Sequence, residues 1–143
     1  MMWRKKSHQP ESQPPRSLDR YVNLPVGSCL ETENGFYYIN KINGSYVRYK
    51  IKTKRILDSW NFPYIVHSTE TVFKQMKIMG FIGFRPGSLV KDISTGLFYV
   101  IDGGTRRRID NPDILDYMGM SPLDAILASS DEINLHKEGE VIK

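Results

Sequence analysis

The chain has 143 residues, of which 40% are hydrophobic and 25% charged, with a formal net charge of +4. These are ordinary values for a soluble protein, and no run approaches the roughly 18 apolar residues of a membrane span. A single cysteine, Cys29, rules out an internal disulfide framework and reads as a small core residue.

The charge is unevenly spread. Residues 1–23 carry five basic and two acidic side chains, residues 24–83 carry eight and four, and residues 84–143 carry seven and ten. A basic part beside an acidic part suits contacts between units or between copies.

The basic start Met1-Met2-Trp3-Arg4-Lys5-Lys6 has no apolar core behind it, so no secretory signal is expected there. Residues 1–23 read as an extended N-terminal arm. Its run His8-Gln9-Pro10-Glu11-Ser12-Gln13-Pro14-Pro15-Arg16-Ser17 is polar and proline-rich. Such a run buries too little surface to offset its own ordering entropy. Trp3, Arg4 and Arg16, with Tyr21 and Val22 near the other end, are the arm's candidate partner contacts.

Two copies of one pattern follow, over 24–83 and 84–143. Leu24-Pro25-Val26-Gly27-Ser28-Cys29-Leu30 matches Phe84-Arg85-Pro86-Gly87-Ser88-Leu89-Val90. Polar turns ending in Gly35 and Gly96 come next. Strands Phe36-Tyr37-Tyr38-Ile39-Asn40 and Phe98-Tyr99-Val100-Ile101-Asp102 then match, followed by turns at Asn43-Gly44 and Gly103-Gly104 and by basic strands. Ile56-Leu57-Asp58 and Ile114-Leu115-Asp116 fall at the same offset from those strands. Aligned turns in the same order point to a tandem duplication.

Gly103 and Gly104 are expected to form a type I′ turn, with positive φ at both positions. Asn111 as N-cap, Pro112 in the first helical position and Gly119 past the end delimit a short helix over Ile114–Met118. Gly35, Gly44, Gly96, Gly103, Gly104 and Gly119 are thus the candidate structural turn residues. Short helix starts are also read at Ser68-Thr69-Glu70 and Ser130-Asp131-Glu132. The apolar tail Val72–Met79 of the first copy is expected to pack on its neighbour. The fold class is therefore α+β: a tandem pair of small antiparallel β-meanders, each with a short helix, preceded by an arm.

Catalytic signatures are missing. His8, His67 and His136 are far apart, and no metal-ligand spacing, nucleophile elbow, phosphate loop or dinucleotide fingerprint occurs. Asp102 and Asp110 flank Arg106, Arg107 and Arg108, where a turn role and an arginine pairing outweigh acid–base work. No enzyme activity, cofactor, metal or small-molecule substrate is expected. Arg106, Arg107 and Arg108 join the arm as candidate partner-binding residues. They and Lys50, Lys52, Lys54 and Arg55, with Tyr46 and Tyr49 nearby, allow a nucleic-acid reading. The ten acidic side chains of the second copy weaken it.

The second copy resembles a short repeat of prokaryotic cell-surface and bacteriophage virion proteins. The resemblance rests on Gly87–Val90, Tyr99–Gly104, Arg107–Ile109, Asn111–Gly119, and Ser129–Ile133 with Gly139. It covers 85–142 well, 25–83 loosely and the arm not at all. It implies a non-catalytic module. With no signal segment read, the expectation is a structural protein of a bacteriophage particle, in its head, connector or tail, made in the host cytoplasm and located in the virion. Its expected partners are other virion proteins in multiple copies, with no membrane contact. The alternatives are a nucleic-acid-binding accessory protein and a cell-wall-binding module.

Overall fold

The computed structural model describes residues 24–143. The fold is α+β and mostly sheet. The first sheet contains β1 (Cys29–Thr32), β2 (Gly35–Ile42), β3 (Ser45–Ile51), β4 (Ile65–His67) and β5 (Lys77–Ile82), in the spatial order β4-β1-β2-β3-β5. β1, β2 and β3 form an antiparallel meander, and β4 lies parallel to β1. The second sheet contains β6 (Leu89–Asp92), β7 (Phe98–Asp102), β8 (Thr105–Arg108), β9 (Ile126–Ala128) and β10 (Lys137–Glu138), in the order β10-β8-β7-β6-β9. Here too the meander is antiparallel, while β9 joins β6 and β10 joins β8 in parallel.

Each meander therefore carries two more strands than the three expected. β4, β9 and β10 are two or three residues long, too short for an alternating pattern to register in sequence, and the six residues of β5 do not alternate. They find their sheet partners only after a crossover has carried the chain back.

The helices are α1 (Lys54–Trp60), α2 (Glu70–Phe73) and α3 (Ser130–Ile133). Thr53 caps α1 by accepting from the Ile56 N–H, and Ser129 and Glu132 form a reciprocal capping box at α3. The helix expected over Ile114–Met118 is a 3-10 turn, Pro112–Leu115, whose Asn111 cap accepts from the Asp113 N–H at 3.0 Å. It ends in a Schellman closure: Met120 N–H donates to Leu115 O and Gly119 N–H to Asp116 O, with Gly119 at φ +74°.

The hairpin turns differ from the expectation in one place. Asn43 and Gly44 both have positive φ, as a type I′ turn requires. At Gly103-Gly104 only Gly103 does, at φ +60°, the dihedral signature of type II′ rather than I′. Both turn types match the strand twist, so the dipeptide alone does not choose between them.

The chain divides into two compact units. The first takes the described residues up to Ile51 and then Phe62–Phe81; the second takes Lys52–Asn61 and Ile82–Lys143. The segment holding α1 thus packs with the second unit, although the sequence division at 83/84 puts it in the first. The reason is visible in its bonds: Arg55 reaches Leu127 O at 2.8 Å and Glu132 at 3.2 Å, and Trp60 Nε1 reaches Gly83 O at 2.9 Å. The first core gathers Leu30, Tyr37, Ile39, Phe73 and Met76, and the second Leu89, Ile109 and Leu115. Each fully buried side chain of this size contributes roughly 1.5–3 kcal/mol. Cys29 is fully buried, and burial pushes its thiol up to about 11, out of reach of thiolate chemistry near neutrality.

Candidate functional site

In the first unit the polar side chains converge on Arg48. β3 sets this residue opposite Ile39, and only 2% of it is exposed. Its Nε donates to Met76 O at 3.1 Å, one terminal nitrogen to Phe73 O at 3.2 Å, and the other to Glu70 Oε2 at 2.9 Å. The guanidinium lies 4.6 Å from the centroid of the Tyr37 ring. Thr32 donates its hydroxyl to the same Glu70 oxygen at 2.6 Å. Burial pushes the Glu70 carboxyl up, but the bonds from Arg48 and Thr32 outweigh it and hold the group below its ordinary value. A buried cation persists only when paired and hydrogen-bonded, and this one is. Its work is to fasten the end of α2 to the sheet.

The second unit has a related arrangement. Arg106 on β8 donates to His136 O and lies 5.9 Å from the Tyr99 ring centroid. Asp92 accepts from Ser94 Oγ at 2.7 Å and from Ser130 Oγ at 2.9 Å, and the Ser94 bond leads in holding its carboxyl below the ordinary value. Burial raises Glu132, yet the Ser129 N–H, the Thr53 hydroxyl and the Arg55 charge together lower it. Burial, aided by the Arg106 charge, depresses His136, whose Nε2 accepts from the Phe84 N–H at 2.9 Å and so carries no proton.

The residues picked out for partner binding fare differently. Trp3, Arg4, Arg16, Tyr21 and Val22 lie outside the described residues. Arg106, Arg107 and Arg108 are half-buried and occupied within their own unit. Arg107 donates to Glu140 O at 3.0 Å and faces Asp102 at 3.5 Å; Arg108 faces Asp110 at 3.4 Å. The strand that carries them is not an edge, since β8 lies between β7 and β10. The carboxylates of Asp102 and Asp110 thus each meet an arginine. Among the described residues no group of three or more His, Cys, Asp or Glu is placed to hold a metal ion, and no helix is long and apolar enough to cross a membrane.

In the sequence Arg48 is only one cation of the basic strand Val47-Arg48-Tyr49-Lys50-Ile51. The signal that marks it is register: Arg48 pairs with Ile39 as Arg106 pairs with Ile101.

Among the described residues, the sheet-end strand that shows the most apolar surface is β5. Among the described residues it ends the first sheet, is six residues long, and exposes Ile78 at 48% and Met79 at 41%. The other sheet ends are blunted in familiar ways. β4 and β9 have three residues each, and β10 is the charged pair Lys137-Glu138. Of the expected apolar tail Val72–Met79, Phe73 and Met76 enter the core while Ile78 and Met79 face outward.

Searches against known protein families, curated proteins and solved structures found no match to the chain.

Proposed function

We propose that this chain is a non-enzymatic structural and interaction protein of a bacteriophage particle, built by tandem duplication of one meander-and-helix unit. The duplication reading is supported by the common order of the two sheets and by links that recur at matching positions. Arg48 to Met76 O has its counterpart in Arg106 to His136 O. Thr32 to Glu70 has its counterpart in Ser130 to Asp92, with hydroxyl and carboxylate exchanged. Independent folds have no reason to share such an exchange.

The observation that carries the interaction role is β5. A long apolar edge strand invites pairing with another chain, and soluble proteins normally suppress it. One such edge among the described residues, where the other sheet ends are blunted, suits a subunit that adds to an assembly. The arginine clusters favour the same reading over nucleic-acid binding, because Arg48 is buried and Arg106, Arg107 and Arg108 are occupied internally.

The test is mass spectrometry of purified particles, with host cytosol and cell envelope analysed alongside. Stoichiometric presence in particles is the expected outcome, and recovery only in the other two fractions would overturn the reading. A chain lacking residues 1–22 should enter particles poorly or not at all.

A further inference from the structure

The loop Pro112–Asp124 of the second unit presents two large apolar side chains almost wholly to solvent, Tyr117 at 91% and Leu123 at 94% exposure. They are not on a floppy tip. The Asn111 cap, the Schellman closure at Gly119 and the Ser121 cap, which accepts from the Leu123 N–H at 3.2 Å, fix the backbone on either side of each. Exposed aromatic and aliphatic side chains on a backbone held in place are suited to act as binding anchors. The same loop carries Asp113, Asp116 and Asp124, all exposed, and no lysine or arginine. None of the three carboxylates forms an ion pair among the described residues.

We infer that this loop docks the N-terminal arm, residues 1–23, of a neighbouring copy of the chain. The inference rests on the assembly role proposed above and names the contact. The arm's five basic against two acidic side chains complement the three unpaired aspartates, and its Trp3 stands directly beside Arg4, Lys5 and Lys6. Apolar anchor and cationic cluster thus lie side by side in the arm, as apolar anchors and carboxylates do in the loop. Twenty-three residues reach up to about 75 Å when extended, enough to span a neighbouring subunit. Because arm and loop are different surfaces, the contact runs head to tail and propagates from copy to copy.

Complementation between full-length variants tests this. The arm variant is Arg4→Glu/Lys5→Glu/Lys6→Glu, and the loop variant is Tyr117→Ser/Leu123→Ser. In sedimentation velocity the wild type should self-associate with concentration and less so at high salt. Each variant alone should stay monomeric at the same concentration. Their equimolar mixture should recover dimers, because one supplies an intact loop and the other an intact arm. A loop variant that associates like the wild type overturns the inference. So does a mixture that stays monomeric, or a wild type that is monomeric because each arm folds onto its own chain. Since Tyr117 and Leu123 are almost wholly exposed, both variants should keep the wild-type circular dichroism. A charge-only variant, Asp113→Lys/Asp116→Lys, should repeat the loop result. Presence in particles without complementation sinks this contact alone; complementation without presence in particles sinks the virion reading alone.

Discussion

The guanidinium of Arg48 and the carboxylate of Glu70 meet at 2.9 Å, with the arginine side chain only 3% exposed and the glutamate 20%. Removing the cation strands Glu70 and two backbone carbonyls in a dry site. Arg48→Ala should therefore cost about 3–5 kcal/mol, read as a lowered urea midpoint. The exposed pair Lys54–Asp58 is the control, and Lys54→Ala should change stability by less than about 0.5 kcal/mol. Equal effects at both sites would remove Arg48 from its central place.

Thr32 and Glu70 exchange roles with Asp92 and Ser130, so the two positions should be coupled. Thr32→Asp alone sets a second carboxylate against Glu70, and Glu70→Ser alone leaves Arg48 without its counter-ion. Combined, the aspartate restores a carboxylate and the serine a hydroxyl. A double-mutant cycle by chemical denaturation should then give a favourable coupling of about 1–3 kcal/mol. Strict additivity would weaken the duplication argument.

Acid should loosen the second unit in a defined window. Burial depresses the folded-state value of His136 below the ordinary 6.5, so the unfolded chain takes up a proton first. Stability should be level above about pH 6.5 and fall as pH drops through and below it. A second loss should follow at lower pH, because Asp92 and Glu132 in this unit, and Glu70 in the first, titrate below their ordinary values of 3.8, 4.5 and 4.5. His136→Gln keeps an acceptor for the Phe84 N–H and removes the titration. Its denaturation midpoint should not change between pH 7 and 5, apart from an offset.

Gly103 and Gly104 should respond differently to substitution. Gly103 sits at φ +60°, so Gly103→Val should cost about 1–2 kcal/mol through backbone strain. Gly104 is not at positive φ and has open space where a Cβ would lie, so Gly104→Ala should shift thermal stability by less than about 0.5 kcal/mol. A cost at Gly104 as large as at Gly103 would mean that the turn is type I′.

Met79 tests the edge strand. Met79→Lys adds a gatekeeper charge to β5 at an exposed site, so folding stability should stay within about 0.5 kcal/mol of wild type. Incorporation into particles should fall severalfold. Unimpaired incorporation would show that β5 is not a pairing edge.

Local chemistry was legible in the sequence, because a cap, a turn or a hairpin depends on residues a few positions apart. Asn111-Pro112, Gly119, Asn43-Gly44 and the strand Phe36-Tyr37-Tyr38-Ile39-Asn40 needed no knowledge of the rest of the chain. The α+β class followed from them. What required the tertiary structure was everything set by distant partners. β4, β9 and β10 are too short to declare themselves, β5 lacks an alternating pattern, and all four become strands only against an existing edge. Arg48 reads as one more surface cation until β3 turns it toward the carbonyls of Phe73 and Met76, twenty-five and twenty-eight residues away. The arginines of β8 likewise read as free partner contacts, whereas β10 lies against their strand and supplies backbone from a distant segment. Burial and pairing are properties of packing, and packing is decided by which segments arrive side by side rather than by which residues are neighbours in the chain.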